Sequence, residues 1–97
     1  MRKQSTKDTV IRQDFREDSE NSYCYKLIMH ENTHTVSYKI PLYSIKIDMT
    51  DSEGARTSAD TKDLFADAGK AIKFYERLVR YLATPIDLRY IVEDELG

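Results

Sequence analysis

The sequence predicts an α+β fold: a three-stranded antiparallel β-meander with a C-terminal αα-hairpin packed on one face, preceded by a disordered N-terminal tail. Three patterns predict it. From Tyr23 the chain alternates apolar and polar side chains through successive short runs, the signature of half-buried strands. From Asp67 to Leu96 the apolar period changes to 3.6, the signature of amphipathic helices. Residues 1–22 sustain neither period, and they carry five Lys/Arg and five Asp/Glu around Val10, Ile11 and Phe15. Such a segment has too little apolar surface to offset the entropy of ordering it, so 1–22 reads as a tail and 23–97 as a single domain. Ordering of the tail on a partner through Val10, Ile11 and Phe15 is the alternative.

The strands follow from register. Tyr23, Tyr25, Leu27 and Met29 share one face, and Val36, Tyr38, Ile40 and Leu42 alternate in the next run. A loop of Glu31–His34 opposes Met29 to Val36, Leu27 to Tyr38, Tyr25 to Ile40 and Tyr23 to Leu42, which makes every inward pair apolar or aromatic. The alternation then changes phase, because Tyr43, Ile45, Ile47 and Met49 are odd-numbered; Pro41, which has no N–H to donate, marks a bulge or bend. A loop Ser52-Glu53-Gly54, with Gly54 left-handed, opposes Met49 to Thr57, Ile47 to Ala59, Ile45 to Thr61 and Lys46 to Asp60. The small side chains of this last strand leave room above the sheet.

Asp67 is placed to cap a helix over Ala68–Ala83, whose apolar stripe is Ala71, Ile72, Tyr75, Leu78, Val79 and Leu82. Phe74 and Tyr81 widen that stripe beyond what one packing partner requires, so the helix is expected to be covered on a second side by its neighbour. Thr84, Pro85 and Asp87 spell the start of that neighbour: cap, first-turn proline and an acid returning to the cap. Leu88, Ile91, Val92 and Leu96 give it a narrower apolar stripe.

The stretches YSIKIDMTDSEG (Tyr43–Gly54) and AIKFYERLVRYLATPIDLRYIVEDEL (Ala71–Leu96) resemble a family of small bacterial proteins catalogued as a domain of unknown function. The shared features are a Tyr-centred strand, a helix, a Pro-Ile-x-Leu turn, here Pro85-Ile86-Asp87-Leu88, and an acidic C-terminus. The resemblance covers about Tyr23 to Leu96. It implies a bacterial cytoplasmic setting, and it carries no activity and no site residues.

Composition narrows the function classes. The 15 Lys+Arg and 17 Asp+Glu give a net charge of −2, which supplies no overall field for DNA or an anionic membrane. Cys24 is the single cysteine, so no internal disulfide forms and a reducing cytoplasm is expected. Cys24, His30 and His34 are the only Cys and His residues. His30 and His34 could share a transition-metal ion, but a closed zinc site needs four ligands. Cys24 lies a strand length from either histidine, too far for a nucleophile–base pair. The consecutive acids Glu93, Asp94 and Glu95 point in different directions on a helix and do not converge on an ion. No catalytic residue, metal or cofactor is expected, and no enzyme activity.

Polarity is what remains. Lys70, Lys73, Arg77 and Arg80 fall on one stripe of the first helix, opposite its apolar side, bordered by Phe74 and Tyr81. These six residues are the candidate interaction surface, suited to an acidic surface on another protein. The alternative is a nucleic-acid accessory protein using the same stripe on phosphates, with the aromatics stacking on bases. A DNA-reading helix-turn-helix is disfavoured, because the would-be reading helix carries Asp87, Glu93, Asp94 and Glu95 against Arg89 alone. A homodimer through Phe74, Tyr81, Ile86 and Tyr90 is a further expectation. The leading expectation is a small non-enzymatic interaction or regulatory module.

Overall fold

The computed structural model describes residues 7–31 and 41–96. Within them lie β1 (Lys7–Glu17), β2 (Asn21–Glu31), β3 (Pro41–Asp51), β4 (Arg56–Phe65), α1 (Ala68–Arg80) and α2 (Pro85–Leu96). The strands form one antiparallel sheet in the order β1-β2-β3-β4. The α+β architecture with two C-terminal helices is as expected, but among the described residues the sheet has four strands rather than three.

The added strand comes from the segment expected to be a disordered tail. Lys7–Glu17 pairs along β2, from Lys7 opposite Glu31 to Glu17 opposite Ser22, with a bulge between Val10 and Arg12. Its alternation escapes notice because the inward set past the bulge is Arg12, Asp14 and Arg16, opposite Leu27, Tyr25 and Tyr23. A strand at the sheet edge can present polar groups on both faces when its backbone is satisfied by a neighbour. The hairpin is closed by Asp18, whose Oδ1 accepts the N–H groups of Glu20 (2.9 Å) and Asn21 (2.8 Å). The Tyr23 hydroxyl donates to Oδ2 at 2.9 Å. These hydrogen bonds, the two backbone ones foremost, hold the Asp18 carboxyl below its usual pKa.

The partner of β2 also differs from expectation. Tyr23, Tyr25, Leu27 and Met29 face Met49, Ile47, Ile45 and Tyr43, not Leu42, Ile40, Tyr38 and Val36. Both sets are apolar, so alternation does not separate them; the observed one zips the whole of β2 against the whole of β3, from Asn21–Asp51 to Glu31–Pro41. Pro41 is the first residue of β3, a position that tolerates a missing N–H, and Leu42 lies opposite His30 on the other face. The predicted strand residues Val36, Tyr38 and Ile40 lie outside the described residues, and the bulge expected at Pro41 is absent, since Pro41, Leu42 and Tyr43 pair with β2 in unbroken register.

The β3–β4 hairpin is the one predicted. Met49–Thr57, Ile47–Ala59, Ile45–Thr61 and Lys46–Asp60 are all partners. Gly54 has φ +88°, a region its lack of Cβ makes accessible. Asp51 closes the turn, its Oδ1 accepting the N–H groups of Glu53 and Ala55, both at 2.9 Å.

The odd-numbered side chains of β2 and β3 form a floor of Tyr23, Tyr25, Leu27, Tyr43, Ile45 and Ile47, all buried under the helices. α1 crosses β2, β3 and β4, and α2 crosses β3 and β4, where Ala59 and Thr61 leave room for Leu88. The flank of α1 assigned from sequence to the second helix is covered by the end of β4: Phe74 meets Phe65 edge-on, with centroids 5.3 Å apart at 60°.

The ends of the helices are chemically explicit. Asp67 Oδ1 accepts the Lys70 N–H at 3.1 Å. α1 ends at Arg80, three residues before the predicted Ala83, in a left-handed cap: Leu82 has φ +52°, its N–H donates to the Val79 carbonyl at 3.2 Å, and the Ala83 N–H donates to that of Leu78 at 3.0 Å. A leucine in this conformation carries strain of roughly 1 kcal/mol, offset by packing of its side chain against the core. Thr84 and Asp87 satisfy each other reciprocally, Thr84 N–H to Asp87 Oδ2 (3.0 Å) and Asp87 N–H to Thr84 Oγ1 (3.1 Å). Thr84→Ala should therefore lower stability by about 1 kcal/mol, seen as a lower urea midpoint with an unchanged slope.

Candidate functional site: the basic face of α1 and the groove beside β1

The residues singled out from sequence divide into three groups. Lys70, Lys73, Arg77 and Arg80 are all exposed along the outer side of α1, as their spacing requires. Phe74 is not part of that surface, being only 3% exposed. It lies inward against Phe65, and the Arg77 guanidinium sits 5.6 Å from its ring centroid, over the face the ring would otherwise show. Tyr81, at 70% exposure, is the aromatic that remains available beside the stripe.

The basic stripe continues beyond the helix, onto β1. β1 lies alongside α1 and leaves a groove of about 430 Å³ lined by Arg12, Asp14, Arg16, Tyr75, Glu76, Val79 and Arg80. Arg12 donates to Glu76 at 3.3 Å, and Arg16 lies 3.6 Å from Asp14. These exposed pairs add little to stability, but they fix where the guanidinium groups point. Arg80 has no ion partner among the described residues. Three arginines against Asp14 and Glu76 leave the groove with one net positive charge, continuous through Arg80 with Lys73 and Arg77 on the helix.

The floor of the groove is rigid. The Tyr75 hydroxyl lies 2.7 Å from Asp14 Oδ2 and 3.1 Å from the Tyr25 carbonyl, two acceptors for its single proton. The Tyr25 hydroxyl in turn donates to the Ala83 carbonyl at 2.8 Å, inside the core. No buried side-chain N or O among the described residues lacks a partner.

Arg12, Asp14 and Arg16 are not legible as part of a site in the sequence, because the strand that carries them has the charged, weakly apolar composition of a tail. A signal for it exists. Asp18-Ser19-Glu20-Asn21 nearly repeats Asp51-Ser52-Glu53-Gly54, the tetrapeptide of the correctly predicted hairpin, and both use the leading Asp to collect backbone N–H groups.

Elsewhere the reactive side chains stay apart. Cys24 is half-buried on the face away from the helices, 3.7 Å from Gln13 Nε2, and His30 Nδ1 lies 3.2 Å from Asp8. His34 lies outside the described residues. Among those described, no three His, Cys, Asp or Glu side chains converge to hold a metal ion, and no helix is long and apolar enough to cross a membrane. Ile86 (64% exposed) and Tyr90 (65%) stand beside β4, away from the basic stripe, and Val10, Ile11 and Phe15 are exposed on β1.

Burial pushes the Tyr75 and Tyr25 hydroxyls well above the ordinary tyrosine value, and for Tyr75 the hydrogen bond and charge of Asp14 add to it. The fold thus prefers both phenols neutral. Their contribution is complete below the unfolded-state value of about 10 and is lost as pH rises above it. Urea midpoints should be flat across neutral pH in this respect and fall above about pH 10. Tyr75→Phe should cost about 1–2 kcal/mol at neutral pH and make the alkaline fall shallower.

No curated protein and no solved structure matches the chain. A family model does match, over residues 6–97, and the matched region takes in β1 together with the rest of the sheet and both helices. The chain therefore belongs to DUF6514, a family of unknown function.

Proposed function

We propose that this chain is a non-enzymatic interaction module that docks an acidic surface of another protein against α1 and the groove beside β1. The observation that carries the reading is Arg80, a cation without an ion partner among the described residues, which joins the helix stripe to Arg12 and Arg16. The elements that hold these charges are a capped helix and a paired strand, so little backbone freedom is lost on binding. The half-buried free thiol of Cys24 suits a reducing cytoplasm as its location.

A nucleic-acid accessory role through the same stripe is the second reading. Three features favour the protein partner. Asp14 and Glu76 stand among the arginines, where phosphates would be repelled but a protein surface of mixed sign finds complements. Phe74 is turned inward, which leaves Tyr81 as the aromatic to stack on a base. The chain as a whole is negative.

The test is affinity capture from the native cell with the full chain and with Lys70→Gln, Lys73→Gln, Arg77→Gln and Arg80→Gln combined. The reading expects one stoichiometric acidic protein, depleted about tenfold or more by the variant. Nucleic acid recovered at low salt and lost at high salt favours the second reading instead. Identical recovery with both baits sinks the basic face as the docking surface.

A further inference from the structure

We propose that the outer edge of β4 is a second interface, and that its occupant is β4 of another copy of this chain, paired antiparallel about a twofold axis through Ser58. β4 is the last strand in the sheet order, and no strand pairs with its outer side among the described residues. The Asp51 N–H donates to the Ala55 carbonyl, and the Ile45 N–H points toward β4, donating to the Thr61 side-chain Oγ1 at 3.3 Å. The odd-numbered backbone groups of β3 and β4 therefore face each other, and those of Arg56, Ser58 and Asp60 point outward. Exposed edges are ordinarily blunted by proline, bulges or charge at their centre. Here β4 carries Asp60, Lys62 and an irregularity in its second half, but the first half of the edge is Thr57-Ser58-Ala59, small and uncharged, within the stretch Arg56–Thr61 that pairs residue for residue with β3.

The charges specify the partner. Arg56 and Asp60 are exposed, lie on the same face of the strand as Ser58, and have no ion partner among the described residues. With the axis on Ser58, Arg56 of each copy lies opposite Asp60 of the other, so these two charges are matched twice, while Lys62 falls opposite Gly54 at the turn. Neighbouring registers fail. An axis on Ala59 sets Arg56 against Lys62, one on Asp60 sets that residue against itself, and one on Thr57 pairs neither charge. An axis on Thr61 extends the pairing into the irregular part of β4 beyond that residue. In the Ser58 register the pairs Ser58–Ser58, Arg56–Asp60 and Asp60–Arg56 exchange their backbone bonds, and the two sheets become one.

The apolar surface lies where this arrangement needs it. Ile86 and Tyr90 line a groove with Thr57, Ser58 and Ala59, directly beside the proposed axis, with Arg89 between them at its wall. The axis runs perpendicular to the sheet, so the helices of both copies lie on the same side. Ile86 and Tyr90 of the two copies then come together across it, in a closed, isologous contact. This differs from the self-association expected from sequence: Phe74 is buried, and the edge of β4 takes its place at the centre.

The test is the solution mass of the full chain by light scattering or sedimentation equilibrium. The proposal expects twice the 11.3 kDa chain mass. Ser58→Pro removes the outward N–H at the axis, at a position where a monomer tolerates proline, and should give a monomer. Arg56→Asp should do the same by placing like charges opposite each other. The double change Arg56→Asp with Asp60→Arg restores the match and should restore the dimer. Circular dichroism and thermal melting of each variant confirm that the monomer is folded. A wild-type chain that stays at 11.3 kDa overturns the proposal. So does a dimer indifferent to both single changes, or one that the charge exchange fails to rescue. The four Gln substitutions on α1 leave this mass unchanged, which separates failure here from failure of the basic-face reading.

Discussion

The need to give two buried phenol hydroxyls their partners organises this fold. Tyr25 and Tyr75 are large side chains at the centre of a small core, and each carries a polar atom that must be satisfied out of reach of water. Tyr75 reaches the Tyr25 carbonyl on β2 and the Asp14 carboxylate on β1, and Tyr25 reaches the Ala83 carbonyl at the end of the helix hinge. These contacts tie β1, β2, α1 and the connection to α2 into one unit. The height of α1 above the sheet, the place where the hinge turns, and the position of Asp14 on the inward side of β1 all follow from it. An alanine or leucine core would fill the space without setting any of these.

How much of this was legible depended on whether the signal was local. The β3–β4 register could be read from Gly54 and the alternation of Ile45 to Met49, because a short loop couples turn chemistry directly to pairing. The caps at Asp67 and Thr84 were legible for the same reason. The β2–β3 partnership was not, since Tyr38 and Ile40 offer Leu27 and Tyr25 the same apolar match as Ile45 and Ile47 do, and only the cumulative length of the ladder separates them. β1 was hidden by its inward charges, which pattern reasoning takes as evidence against a strand.

That concealment also hid half of the candidate site. The basic stripe on α1 was visible as a helical spacing, whereas its continuation into Arg12 and Arg16 depends on a strand arriving beside the helix from more than fifty residues away in sequence. The burial of Phe74 was likewise invisible, because its cover, Phe65, stands at the end of β4 beyond the regular part of the ladder. The spacing on one helix showed which cations share a face. Which neighbours complete that face was a tertiary matter.

The order of elements along the chain has a consequence for its synthesis. Among the described residues all four strands precede both helices, so a nascent chain emerging at roughly 5–20 residues per second presents those strands before their cover exists. During that interval the floor formed by Tyr25, Leu27, Ile45 and Ile47 faces solvent, between two open strand edges. Hairpins close in about 1–10 μs, far ahead of the ribosome, so strand pairing is sampled repeatedly before the helices arrive to stabilise it. A chain stopped within α1 would leave that apolar floor without its cover, the kind of surface that chaperones hold and proteases recognise.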